Sequence, residues 1–230
     1  MIPALLIWLY KKFICPALLR RNMTPPALPE LPFLKKSVMP LIFLMLLCPV
    51  VSAQDNMAVY RVMYNGSQIG TMQVAKTVSG DDLHLKMVSK ISTRLLFKIN
   101  VNTTDLSHFS KGRLLSSSVV RTVNGKEKAN KKTWLCGGGY RTIADEKAGV
   151  LRSPISYNMM LLYCKEPVNI KQVYSDNHQQ FLDITRTGLH SYRIKLPDGN
   201  YNDYYFENGV CSRVDVHHSM YSIRMELAAA

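Results

Sequence analysis

The chain has 230 residues, 47% of them hydrophobic and 20% charged, and 29 lysines and arginines outnumber 16 aspartates and glutamates for a formal charge of +13. That apolar fraction excludes a disordered polyelectrolyte, and five cysteines without CxxC spacing exclude a zinc module or a dense disulfide scaffold. No nucleic-acid-binding motif accompanies the positive charge.

Residues 33–56 carry Lys35-Lys36, an apolar run from Met39 to Val51, and Val51-Ser52-Ala53 ahead of a polar segment. Charged, apolar and small-residue regions in that order are the pattern of a secretory signal peptide. The run is about 13 residues, too short for the roughly 20 that carry a helix across a bilayer. Residues 39–53 are thus expected to be the apolar region and cleavage site, with cleavage after Ala53 and export to the periplasm or the outer cell surface. Residues 1–38 read as an extension. Ile2–Tyr10 is a second short apolar stretch, and Pro25, Pro26, Pro29 and Pro32 stop any helix from running on into the signal segment. The expected start is Met23, with the residues before it mis-assigned. Cys48 follows Leu46-Leu47 rather than small residues, which argues against a lipid anchor. Loss of residues 1–53 removes six basic residues and one acidic one, so the exported chain carries about +8. It keeps Cys136, Cys164 and Cys211, enough for at most one internal bridge.

Residues 54–230, about 177 in number, fit a single domain. Apolar residues recur at a spacing of two in Leu83–Ile91, His190–Leu196 and Tyr221–Leu227, the signature of half-buried strands. Asn65-Gly66 and Asn124-Gly125 are two-residue hairpin signals, repeated at Asp198-Gly199 and Asn208-Gly209. Lys126, Lys128, Lys131 and Lys132 read as a solvated hairpin tip, and Gly137-Gly138-Gly139 as a flexible hairpin connection rather than a phosphate loop, because a strand-like segment follows. Ser153-Pro154 opens the one segment of helical spacing, with Tyr157, Met160, Leu161 and Cys164 on a common face and Glu166-Pro167 to end it. The expectation is all-β: ten to twelve antiparallel strands in a curved sheet, a roll or barrel-like domain, with one short helix near 154–164. A two-sheet sandwich is the alternative. Phe109-x-x-Gly112 and Phe206-x-x-Gly209, each ahead of a strand, make a faint internal echo.

The segments Tyr60-Arg-Val-Met-Tyr-Asn65-Gly66-Ser-Gln-Ile69-Gly70-Thr-Met72, Phe109-x-x-Gly112 and Tyr204-Tyr205-Phe206-x-Asn208-Gly209 resemble exported bacterial proteins grouped as a domain of unknown function, which have a signal peptide and a β-rich, barrel-like or roll-like domain. The resemblance implies a periplasmic or surface-exposed β domain. It implies no activity and offers no catalytic residues to carry over.

Cys211, Arg213, Asp215 and His217 alternate along one strand and so are expected on one face, with Val210, Val214 and Val216 on the other. Cys211 and His217 would lie about 20 Å apart, beyond any shared metal or proton, which leaves Asp215 and His217 as the pair able to cooperate in a hydrolase. His217-His218 point to opposite faces, and His84, His108, His178 and His190 lack metal-ligand spacing. No metal, cofactor or catalytic motif is present, so an enzyme is not indicated. Tyr192, Tyr201, Tyr204, Tyr205, Phe206 and Tyr221 concentrate aromatic surface near the C-terminus and are the candidate ligand-binding residues. Met57, Met63, Met72, Met87, Met159 and Met160 could line an adaptable cavity. The expected function is non-catalytic binding of an apolar small molecule or an envelope protein. The alternatives are an assembly factor acting through an exposed sheet edge and the hydrolase at Asp215 and His217.

Overall fold

The computed structural model describes residues 54–94 and 98–228; residues 1–53, where the sequence suggests an extension and a signal peptide, lie outside them. The strands, in chain order, are β1 (Gln54–Tyr64), β2 (Ser67–Ser79), β3 (Asp82–Arg94), β4 (Lys98–Ser110), β5 (Arg113–Val123), β6 (Lys126–Cys136) and β7 (Gly139–Ala144), followed by β8 (Lys147–Leu151), β9 (Gln172–Ser175), β10 (Gln180–Gly188), β11 (Ser191–Lys195), β12 (Tyr201–Glu207), β13 (Val210–His218) and β14 (Tyr221–Leu227). All pair antiparallel in one 14-stranded sheet. Consecutive strands are neighbours, except that β1 pairs with β14 and no ladder joins β8 to β9. The described chain is thus two meandering arms, β1–β8 and β9–β14, seamed along β1 and β14.

An open sheet of this many strands must curl, because right-handed twist accumulates at every strand. Here the arms approach until side chains bridge them. Thr133 Oγ1 and Tyr174 OH lie 2.9 Å apart. Gln179 Nε2 donates to the Lys132 and Ile143 carbonyls, each at 3.0 Å, and Lys131 Nζ donates to the Asn177 carbonyl. The result is barrel-like, with the β8 and β9 edges left unpaired to each other.

The turns explain the meander. Asn65-Gly66, Asn124-Gly125 and Asn208-Gly209 all have positive φ at both residues, as a two-residue hairpin twisted to match its strands requires. Asp198-Gly199 is different: only Gly199 is left-handed, because Pro197 fixes the first corner and the loop closes as Leu196 N–H to Asn200 C=O at 2.8 Å. The Phe109 and Phe206 echo is structural. Each phenylalanine stands at a β-bulge three residues before a left-handed glycine, and each is buried. The glycine run falls at the β6–β7 tip, and Lys126 and Lys128 lie beside the β5–β6 turn, but Lys131 and Lys132 sit in mid-strand, with Lys131 half-buried against the Asn177 carbonyl.

At Gly70, in β2, β3 comes so close that an added Cβ would meet Lys90 O at 2.2 Å and Ile91 Cα at 2.8 Å. Both are backbone atoms and cannot swing away. Gly70→Ala is expected to lower the urea midpoint by an equivalent of about 1–3 kcal/mol.

The helix expected over 154–164 is reduced to a single 3₁₀ turn, Leu161–Tyr163. Two causes are visible. Ile155, Tyr157, Asn158, Met160, Leu161, Leu162 and Tyr163 are all buried, so the segment has no solvent face for a helix to present. Its backbone is also already engaged: Ile155 C=O accepts from Leu114 N–H, and Tyr157 and Met159 pair with Tyr174 at 2.9 Å. Asn158 Oδ1 accepts the Leu161 N–H, a local bond of the kind that competes with helix. The segment between β8 and β9 therefore acts as a plug inside the curl. It packs on Tyr60, Leu85, Phe109, Tyr204 and Val214 in the main core.

Candidate ligand-binding cleft

Strand register places a row of small hydroxyls on the inner face of the first arm. Ser107 faces Ser117, Ser117 faces Thr133 and Thr133 faces Thr142 across three successive ladders, and all four are buried. In the next row Met87, Asp105 and Val119 are cross-strand partners. Opposite them stand the plug and the Ser175–Gln180 turn, which carries Asp176 and His178. Between these surfaces is a solvent-open cleft of about 420 Å³. Met87, Val119, Met159, Met160, Tyr163 and Tyr204 form its apolar walls. Asp105, Arg121, Asp176 and His178 form its polar part, and Tyr221, His217 and His218 also line it.

Asp176 is 7% exposed. Its Oδ2 accepts from Asn158 Nδ2 at 2.9 Å, and its Oδ1 has no hydrogen-bond partner. Asn158 Nδ2 also donates to Ser107 Oγ at 2.8 Å, tying plug, turn and β4 together. Burial pushes the Asp176 carboxyl up to about 6, held back by the Asn158 amide, a backbone N–H and the Ser117 hydroxyl, whose oxygen falls short of hydrogen-bond geometry. Burial pushes Asp105 up to about 7, the negative charge of Asp176 adds to this, and Arg121 opposes it. His178 is shifted the other way, below its usual range, by burial and then by Lys131.

The six aromatics expected to form a binding surface divide between faces. Tyr192, Tyr204 and Phe206 point inward and are buried. Tyr192 OH donates to Glu166 Oε1 at 2.7 Å and its ring packs edge-on to Phe206. Tyr201 and Tyr205 lie on the outer face under Arg193 and Arg213, whose guanidinium carbons sit 4.1 and 3.9 Å from the ring centroids. Tyr221 stacks on His218 at 4.4 Å. Of the six, Tyr204 and Tyr221 reach the cleft. Of the six methionines, Met87, Met159 and Met160 reach it, whereas Met57 is 68% exposed.

The Cys211, Arg213, Asp215 and His217 face is also divided. A bulge pairs Tyr205 with Arg213 and Phe206 with Cys211, and this extra residue turns Cys211 inward beside Val214. The buried Cys211 thiol is pushed up to about 12 and is unreactive there. Val210, expected on one face with Val214 and Val216, is instead 39% exposed, whereas Val214 is buried. Asp215 is clamped by Arg224 at 2.8 Å and Arg213 at 3.5 Å, while His217 stacks on Tyr201 and turns Nε2 to Asp203 at 3.6 Å. Asp215 and His217 are each committed to other partners, which leaves the hydrolase reading without an acid–base pair. All three cysteines are free thiols. His84 and His108 stack at 4.1 Å on β3 and β4.

A single antiparallel sheet curled around a plug, with a solvent-open cleft on its concave side, defines a β-barrel-like protein. The chain belongs to the family described as domain of unknown function DUF6134, whose family model matches residues 60–228. Its fold is similar to the crystal structure of a β-barrel-like protein of domain of unknown function DUF1849 from Brucella abortus, with a TM-score of 0.51 and 12% identity over 77% of this chain and 96% of that one. At that identity the likeness concerns the fold alone. No curated protein matches the chain. No helix among the described residues is long and apolar enough to cross a membrane.

Proposed function

We propose that this protein is exported to the cell envelope and holds a small, largely apolar molecule in the cleft between the plug and the first arm. The 39–53 segment supports export, and the cleft supports binding: a concave site of about 420 Å³, in which methionine and tyrosine walls meet a polar side that includes Asp105, Arg121, Asp176 and His178, has the size of a small-molecule site and both apolar and orienting groups. The alternative of assembly through a sheet edge has less behind it. The free edge of β8 is five residues long and begins at Lys147, and short lysine-bearing edges are how sheets avoid pairing with other chains.

Two measurements on the full chain expressed in a bacterial host test this reading. The intact mass of the periplasmic product should correspond to a chain beginning at Gln54. The purified protein should bind N-phenyl-1-naphthylamine saturably at micromolar concentration, and Met159→Trp, which fills the cleft, should weaken binding at least tenfold. Cytoplasmic retention at full length would end the export reading. Absence of saturable binding, or equal binding by Met159→Trp, would end the cleft reading.

A further inference from the structure

We propose that the cleft selects a small organic cation, a primary amine on an apolar tail, with its charged end between Asp105 and Asp176. This rests on the ligand-cleft reading above and adds the chemical class of the ligand. Buried carboxylates are ordinarily paired, and the exceptions need an explanation. Here two approach one cleft from separate elements, β4 and the turn after β9. Asp105 Oδ1 and Asp176 Oδ1 are both buried without a hydrogen-bond partner, and Ser117 Oγ beside them is likewise unpaired. Among the described residues no ion pair joins either carboxylate to a cation. Arg121 is near enough to oppose the shift of Asp105, but its guanidinium is directed to Asn177 Oδ1 at 3.5 Å. Asn158 meets Asp176 Oδ2, but the two Oδ1 atoms and their negative charge have no donor of the protein's own among the described residues.

A ligand ammonium would supply both donors and the opposite charge. Its donors would meet the two orphaned carboxylate oxygens. Its tail would lie on Met87, Val119, Met159 and Met160. A bare metal ion fits less well, since the described residues hold no group of three or more His, Cys, Asp or Glu able to ligate one. Burial favours the protonated form of both carboxyls, and a cation would oppose that. The other groups facing the site are Arg121 on β5, Lys131 on β6, His178 in the turn, Asp198 between β11 and β12, and His217 and His218 on β13. Asp198 is held low by hydrogen bonds from Asn200 and keeps a negative charge at the mouth. Charge gained by His178 in acid repels a cation, so it acts in the same direction as protonation of the carboxylates.

The test is calorimetric titration of the purified protein with octylamine, octanol and octanoate at pH 8 and pH 5. The amine stays protonated throughout this range. At pH 8 octylamine should bind at least tenfold more tightly than octanol, with octanoate weakest, and at pH 5 the amine preference should fall at least tenfold. The Asp105→Asn/Asp176→Asn double variant, which keeps volume and removes buried charge, should lose the amine preference over octanol at both pH values. Arg121→Gln, which removes the opposing cation, should strengthen the preference several-fold. Equal affinity for octylamine and octanol at pH 8 would overturn the cation assignment and leave the cleft reading standing. Binding of none of the three would overturn both.

Discussion

Asn158→Ala should be among the most damaging single substitutions in this domain, lowering stability by about 3–5 kcal/mol. Asn158 is fully buried in the plug. One amide group donates to Ser107 on β4 and Asp176 after β9, while its oxygen caps the 3₁₀ turn through Leu161 N–H. Alanine removes three bonds at once and leaves a buried carboxylate with a weaker shell, where the unmet group costs more than the bond contributed. The neighbouring backbone pairs with Tyr174 hold the plug on β9, so its release would also open the wall formed by Met159, Met160 and Tyr163. Urea unfolding should show the loss at pH 8, and N-phenyl-1-naphthylamine binding should fall with it. The penalty should shrink at pH 5, where Asp176 is protonated and less in need of a donor. A loss below about 1 kcal/mol at pH 8 would mean that water replaces the amide and that Asn158 does not fasten the plug.

The contrast between what residue spacing revealed and what it hid follows from where the information lies. Asn-Gly turns act within four residues, and the alternation of Leu83, Leu85 and Met87 acts within one strand, so a hairpin-rich curved sheet could be read directly. The cleft depends on register between strands far apart in sequence. Asp105 sits in a strand whose inner positions include Ser107 and whose Leu106 is 44% exposed, the reverse of the usual apolar-in pattern, so its face gave no sign of being interior. That reversal, repeated in Ser117 and Thr133, was the available clue: polar residues at the inner positions of adjacent strands mark a lined cavity rather than a dry core. Cys211 was misplaced by a single bulge residue, because one inserted position inverts the parity of everything on its far side. The plug was misread because helical spacing and all-round burial coincide in an apolar segment of ten residues.

Acidification from pH 8 to pH 5 should stabilise this domain, and the Asp105→Asn/Asp176→Asn variant should remove most of that gain. Both carboxyls titrate higher in the folded state than in an unfolded chain, at about 7 and about 6. A group raised in this way contributes stability that is full below its unfolded value and is lost as pH rises through the folded one. The loss therefore falls between roughly pH 4 and pH 7. The full shift at Asp105 corresponds to about 4 kcal/mol, an upper bound because the two sites are coupled, and a net gain of about 2 kcal/mol is expected. For a domain of this size that is a rise in Tm of roughly 4–8 °C. Glu166, Asp82 and Asp198 are shifted down, so their contributions are lost only below the window. His178 opposes the gain, because its folded form resists the proton that the unfolded chain accepts near pH 6.5. The difference between parent and double variant cancels that term and isolates the carboxylates. At pH 8 the variant should be the more stable protein, the reverse of the usual result of core substitution, because each amide replaces a buried charge that no cation neutralises. Saturating octylamine should narrow the same difference by stabilising the parent alone. Parallel pH profiles for parent and variant would show instead that both carboxylates ionise freely in the fold, and with that the cleft would have no unmet charge for a ligand to satisfy.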